Sequence, residues 1–253
     1  MPALILECCH FNRQRNVNRF SRSKHAMKTN SKKKPVKTTV VKRQSHQVRI
    51  IGGVWKRSLL SVVDAEGLRP TPDRVRETLF NWLNHLLHSN WTGVHCLDLF
   101  AGSGALGFEA ASRGAAQVIM VEAHTPAYKQ LEQVKDKLQA SQCKLLRADA
   151  LKALESLAAQ PQKMDVIFLD PPFEQDWLDR ILPACAQLLS PKGCIYVESE
   201  FSLAESASDE AANEKIAKLL SGWQLIRADK AGSVFFHILQ RNILPHEAHE
   251  NQA

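Results

Sequence analysis

Three short stretches of this 253-residue chain carry the side chains suited to chemistry, and each stands at the end of an apolar run. The first reads Leu97-Asp98-Leu99-Phe100-Ala101-Gly102-Ser103-Gly104-Ala105-Leu106-Gly107, a strand running into a Gly-x-Gly-x-x-Gly turn and then a helix. Glycines let the backbone approach a ligand closely, and the N-terminus of the following helix presents free N–H groups. Glu122 closes the next apolar run, where a carboxylate accepts hydrogen bonds from both hydroxyls of a ribose. By themselves these residues fit a nicotinamide dinucleotide or S-adenosylmethionine, and the glycines alone fit a purely structural turn.

Asp98 stands on the strand just before the glycines, where a carboxylate suits a cationic amino-acid ligand better than a pyrophosphate. Asp149 ends the third apolar run; it is placed to accept from an adenine amine, and equally to cap a helix starting at Ala150. The stretch Asp165-Val166-Ile167-Phe168-Leu169-Asp170-Pro171-Pro172-Phe173 then favours S-adenosylmethionine. Two prolines fix φ and remove N–H donors, so the backbone carbonyls and the Asp170 carboxylate meet a ligand as pure acceptors. An exocyclic base amine is a pure donor, and a poor nucleophile while its lone pair is delocalised into the ring. Acceptors that grip both of its hydrogens draw the lone pair out of conjugation and aim it at a methyl sulfonium. Phe173 offers a face on which an extruded base can stack, worth about 1–3 kcal/mol per base.

The elements that must position these residues alternate. Apolar strands are expected at 94–100, 117–122, 143–148, 165–170 and 194–198, with helices at 105–113, 126–140, 150–159 and 174–189. That alternation argues an open α/β fold with a parallel sheet covered on both faces. Trp223–Ala228 and Ser233–Gln240, joined through Lys230-Ala231-Gly232, complete seven strands with a hairpin. Ahead of the sheet, Gln47–Ile51 and Val54–Val63 flank Gly52-Gly53 in the pattern of a two-residue-turn hairpin. Thr71 is expected to cap a helix whose first residue is Pro72 and whose apolar stripe is Val75, Leu79, Trp82, Leu83 and Leu86. Arg69, Arg74 and Arg76 lie off that stripe, as a solvated face or as contacts to phosphate or carboxylate. The acidic stretch 204–214 reads as a surface loop or a helix start.

Asp170-Pro171-Pro172-Phe173 resembles the fourth motif of class I amino-methyltransferases, which names the amine chemistry but not the base. The pairing of Ile50-Ile51-Gly52-Gly53 and Leu59 with Leu68-Arg69-Pro70-Thr71, Asp73-Arg74-Val75-Arg76-Glu77 and Leu79-Phe80-Asn81 is similar to the bacterial RsmD family, 16S ribosomal RNA guanine-N2 methyltransferases. The resemblance covers about residues 47–240. It implies a Rossmann-like class I methyltransferase fold whose mostly parallel seven-stranded sheet follows a small N-terminal hairpin and helix element. It further implies that Gly102 and Gly104 line the S-adenosylmethionine site, with Glu122 on its ribose and Asp149 on its adenine beside the Asp98 read above, and that Asp170 and Phe173 hold the guanine on the catalytic turn with Pro171. Arg69, Thr71, Arg74 and Arg76 would then face the RNA. An amino-methyltransferase acting on adenine or cytosine of DNA or another RNA, a nicotinamide-dependent oxidoreductase and a non-catalytic RNA-binding module are the competing readings.

Charge is unevenly placed: residues 1–49 hold 13 of the 33 Lys and Arg against one acid, Glu7, while the remainder carries 20 bases and 25 acids. A basic segment of that kind meets nucleic acid by releasing counterions from phosphates, or is a solvated tail or a transit peptide. We expect a disordered arm at 1–45, a methyltransferase domain at 46–241 (an N-terminal element at 46–90 and a catalytic core at 91–241), and a flexible tail at 242–253. Six cysteines without a Cys-x-x-Cys pair or zinc-type spacing indicate neither metal nor disulfides, and no run of about 18 apolar residues occurs. The expectation is a monomeric cytoplasmic enzyme that needs no metal and no membrane and acts on ribosomal RNA or the assembling small subunit. Deleting residues 1–45 should leave the melting point and cofactor affinity nearly unchanged, while RNA affinity falls and its salt dependence flattens; binding titrations at several salt concentrations check this.

Overall fold

The computed structural model describes residues 47–62, 71–172, 177–204 and 210–242. The basic arm, Arg69, Phe173, residues 205–209 of the acidic stretch and the tail from 243 onward lie outside the described residues.

The chain begins with two short antiparallel strands, β1 (Gln47–Arg49) and β2 (Leu59–Ser61), followed by helix α1 (Asp73–Leu86). Seven further strands share one sheet: β3 (His95–Asp98), β4 (Gln117–Val121), β5 (Cys143–Leu146), β6 (Met164–Leu169), β7 (Leu189–Ser199), β8 (Trp223–Ala231) and β9 (Val234–Arg241). Their order is β5-β4-β3-β6-β7-β9-β8. The first five pair in parallel, and β9 runs antiparallel between β7 and β8. The connecting helices are α2 (Ala105–Arg113), α3 (Thr125–Leu138), α4 (Ala150–Ala158), α5 (Trp177–Leu188) and α6 (Glu210–Leu219). The acidic stretch thus leads into a full helix.

Strand periodicity divides the core into two layers. Cys96, Val118, Met120, Val166, Phe168 and Tyr196 point to one face, where Leu79, Phe80 and Leu83 of α1 and Phe108 of α2 cover them. Leu97, Ile119, Val121, Ile167, Leu169 and Val197 point to the other, against Leu154 of α4 and Ile181 and Cys185 of α5. The chain leaves β3 toward β4 and later returns to β3's other side with β6, which opens a crevice at the carboxyl ends of these strands.

Two local expectations are corrected. Gly52-Gly53 do not form a two-residue turn: the ladder continues through Ile50 N–H to Ser58 O (2.9 Å) and Arg57 N–H to Ile50 O (2.8 Å), so the connection is longer. The glycines instead dock the segment on α2. The Ile51 and Gly52 N–H groups donate to the Glu109 carboxylate at 2.6 and 2.8 Å, Val54 N–H donates to Ser112 O at 2.8 Å, and the Ser112 hydroxyl donates to Gly52 O at 2.6 Å. Thr71 likewise does not cap α1: the helix starts at Asp73, Pro72 occupies the cap position, and no side chain caps it. The Thr71 hydroxyl is drawn elsewhere, as described below.

Gly53 has φ +74°, and a Cβ there would overlap the Ser112 carbonyl. Gly53→Ala should therefore cost about 2–4 kcal/mol and lower the melting midpoint by roughly 5–10 °C. A variant melting with the wild type in calorimetry would mean that this segment is not locked on α2.

Candidate active site

The carboxyl ends of β3, β4, β6 and β7 open onto a cleft of about 660 Å³. Among the described residues its walls carry five carboxylic acids, Asp98, Glu122, Asp149, Asp170 and Glu198, and no lysine or arginine. Parallel strands deliver side chains to this edge by construction, so an acid that ends an apolar run arrives in the crevice.

One half of the cleft is built around the glycine turn. Glu122 accepts from Gly102 N–H at 2.8 Å and from His124 N–H at 2.7 Å, which fixes both of its oxygens toward the turn. Gly102 N–H is therefore already satisfied by a carboxylate, a poor surrounding for a pyrophosphate. Asp98 is 2% exposed and accepts from Gly107 N–H at 3.0 Å. Burial pushes its carboxyl up to about 7 against the pull of that N–H, and the Glu122 charge adds to the rise. Gly107 permits the contact, since a Cβ there would meet Met120 Sδ at 2.5 Å. A buried acid on a cleft wall with no cationic partner among the described residues, beside further acids, fits a ligand carrying positive charge. Asp149 ends the row: it caps α4 through Oδ1, which accepts from Leu151 N–H at 3.0 Å, while the residue also lines the cleft. The helix-cap reading of Asp149 is thus realised at a position that still faces the ligand space.

The other half is a buried network. Thr71 is 6% exposed, and its hydroxyl lies 3.2 Å from Asp170 Oδ2 and 3.0 Å from Glu198 Oε1. The Tyr196 hydroxyl donates to the same Glu198 oxygen at 2.9 Å. Burial first, then the Glu198 charge, holds the Asp170 carboxyl well above the usual carboxylate range, and burial likewise raises Glu198. Phe100 and Trp177 meet edge to face at 5.4 Å, and both line the cleft.

Of the residues singled out in the sequence, Asp98, Gly102, Glu122, Asp149, Thr71, Asp170 and Pro171 come together in this cleft. Gly104 does not: it caps α2 at φ +77°, and its missing side chain leaves room for Phe108 and Leu131. Arg74 is exposed on α1 outside the cleft, and Arg69 and Phe173 lie outside the described residues. Arg76 is corrected outright as an RNA contact. It is fully buried, donating to Arg49 O at 2.8 Å, Thr71 O at 3.3 Å and Asp73 Oδ1 at 2.5 Å. Its role is to pin the segment bearing Thr71. Glu198 and Tyr196 were not anticipated, although Glu198 ends an apolar run just as Glu122 and Asp170 do.

The Asp98 carboxyl is raised in the fold, so the native state keeps a proton that the unfolded chain has already lost. Its contribution to stability is full below the unfolded value of 3.8 and is lost as pH rises through about 7. Asp98→Asn should consequently gain on the ligand-free wild type by up to about 1.4 kcal/mol per pH unit within that window. Denaturant midpoints of both proteins between pH 5 and 8 check this; a constant difference would refute it.

Comparison with known proteins places this arrangement. Residues 48–240 match the family model described as Conserved hypothetical protein 95. The chain is 37% identical over 198 residues to ribosomal RNA small subunit methyltransferase D of Haemophilus influenzae, covering 77% of this chain and 94% of that protein. It is 37% identical over 199 residues to the protein of the same name from Escherichia coli strain K12, covering 78% and 91%. The solved structure of yhhF from Escherichia coli, described as a methyltransferase, superposes with a TM-score of 0.62 at 35% identity over 78% of this chain and 98% of that one. The chain therefore belongs to this family, the one that includes the ribosomal RNA small subunit methyltransferase D proteins of both organisms.

Proposed function

We propose that this enzyme transfers a methyl group from S-adenosylmethionine to the exocyclic N2 amine of a guanine in 16S ribosomal RNA. The observation that supports the reading is the cleft whose described walls carry five acids and no lysine or arginine, a setting suited to a cationic ligand beside acceptors for an amine. The names of the relatives, ribosomal RNA small subunit methyltransferase D, support RNA of the small subunit as the substrate.

When bound, the cofactor supplies a methyl group on a positively charged sulfur. In this reading Asp98 faces its amino-acid cation, and the Glu122 oxygens keep lone pairs for the two ribose hydroxyls beyond the N–H groups they already accept. Asp149 takes the adenine amine with the oxygen not used as a cap. Asp170 and the carbonyls of the turn grip the guanine amine, with Pro171 fixing the turn and Phe173 stacking on the base. Alignment supplies most of the rate, since holding two reactants in line is worth about 7–11 kcal/mol. Arg69 and Arg74, together with the basic arm, contact phosphates without reading sequence. We place the enzyme in the cytoplasm as a monomer acting on the RNA or on the assembling small subunit. Among the described residues no helix is long and apolar enough to cross a membrane.

Mass-spectrometric mapping of methylated guanines in ribosomal RNA from cells with and without the gene tests the substrate; methyl groups lost only from adenine or cytosine would overturn it. Asp170→Ala should slow transfer by far more than tenfold, about 1.4 kcal/mol of barrier, while cofactor affinity stays within a few-fold. Glu122→Ala should instead weaken cofactor binding by about 1.5–3 kcal/mol per lost hydrogen bond, measured by calorimetry.

A further inference from the structure

The network around Asp170 contains more acid than a gripping role needs. Two carboxylates converge on Thr71 Oγ1, at 3.2 Å from Asp170 and 3.0 Å from Glu198. A threonine hydroxyl has one hydrogen and can satisfy one of them. The second contact is favourable only when that carboxyl itself carries a proton and donates it to the Thr71 oxygen. Glu198, at 3% exposure, and Tyr196, at 0%, are closed off from solvent, while Asp170 is half-buried at the cleft wall, so water screens the pair from one side at most.

The other described groups do not relieve the charge. Asp98 on β3 adds a negative charge to the same site. Tyr196 on β7 gives its one hydroxyl hydrogen to Glu198. The Arg76 guanidinium of α1 is engaged by Asp73 and by the main-chain oxygens of Arg49 and Thr71. Like charges this close do not both ionise, so the two acids together hold a proton.

We propose that Glu198 is a positioning residue that shares one proton with Asp170 through the Thr71 hydroxyl and so sets the state in which Asp170 meets the base amine. The proton rests on the Glu198 side while ionised Asp170 accepts the amine hydrogens. Once the methyl group is on nitrogen, the amine holds one hydrogen too many. Its N–H bond breaks, the electron pair returns to nitrogen, and an O–H bond forms on Asp170. The pair then carries two protons and returns one to solvent when product leaves. By holding the shared proton Glu198 keeps Asp170 ionised for the amine, and Tyr196 and Thr71 hold Glu198 in place. The raised carboxyls of both residues agree with a shared proton.

The kinetic part rests on Asp170 being the acceptor of the amine; the proton sharing does not, and the test separates them. The full chain, labelled with carboxyl-¹³C aspartate, is titrated by NMR without ligand, with Asp170→Asn to assign the signal. In the wild type the Asp170 carbon should titrate above the ordinary carboxylate range. Glu198→Gln keeps an acceptor for Thr71 but removes the charge, and should move that titration down by about one pH unit or more. The acid limb of the methyl-transfer profile should shift down equally, with the KM for cofactor unchanged. Thr71→Ser should preserve the wild-type titration and Thr71→Val should alter it, which keeps the proposal testable if Glu198→Gln does not fold. An Asp170 titration identical in wild type, Glu198→Gln and Thr71→Val overturns the proposal even if Asp170→Ala is inactive. A shifted titration alongside an active Asp170→Ala supports the shared proton and overturns only the acceptor role.

Discussion

The Thr71 hydroxyl, caught between two carboxylates, is the contact on which the arrangement of this molecule turns. It joins the entrance of α1 to the ends of β6 and β7, residues separated by 99 and 127 positions in the chain. Holding a threonine there requires the whole N-terminal element to be fixed, and buried charges fix it. Arg76 ties Thr71 O to Arg49 O, joining the start of α1 to β1. Glu109 on α2 gathers Ile51 and Gly52, and Arg113 answers its charge at 2.8 Å while lying 4.8 Å over the Phe80 ring of α1. Buried ion pairs contribute little net stability, but removing one partner is costly because the other charge is stranded. Such pairs therefore specify a position more than they strengthen a fold.

The cleft follows an opposite logic. Among the described residues its acids meet no lysine or arginine, and burial raises Asp98 and Asp170 toward their neutral forms. Each such group makes the ligand-free protein less stable at neutral pH than it would be with a neutral side chain. That unfavourable energy is recovered only by a ligand bringing positive charge or hydrogen-bond donors. A row of acids with Gly102 N–H already given to Glu122 is a poor surrounding for a phosphate, although the Gly-x-Gly-x-x-Gly turn is shared with dinucleotide folds.

Much of this was legible in the residues because strand ends are predictable. An apolar run followed by an acid places that acid at the sheet's edge, and Glu122, Asp149 and Asp170 were found by that rule, while Asp98 was found by its place on the strand just before the glycines. Glu198 obeys it too but was read only as the last residue of a strand, since no glycine or proline after it marks a ligand turn. Thr71 and Arg76 were misread for a different reason. Before a proline and an acidic first turn, a threonine has the local chemistry of a cap, and an arginine off the apolar stripe has that of a solvated face. Both residues instead have tertiary partners, and helix periodicity records none of them. Gly52-Gly53 misled in the same way: the docking surface on α2 lies 57 residues onward.

The N-terminal element consequently forms part of the candidate site's wall and is not an appendage to it. Its residues Val48, Ile50, Leu60, Val75 and Leu79 belong to the same buried cluster as Cys96, Val118 and Phe168 of the sheet. Phe80 lies 6.0 Å from Phe168 and 5.9 Å from Trp91, and Trp82 lies 5.3 Å from Phe236 on β9, so α1 spans from the glycine-turn side of the sheet to its antiparallel edge. Aromatic contacts of this kind add about 0.5–1.5 kcal/mol each beyond the area they bury. A family match that runs unbroken from 48 to 240 agrees with that packing. A sheet without the element would keep the acids of the glycine-turn half yet lose Thr71, leaving Asp170 and Glu198 face to face with no hydrogen between them. The element's position on the sheet is therefore set by the chemistry of two carboxylates as much as by the apolar stripe that holds it there.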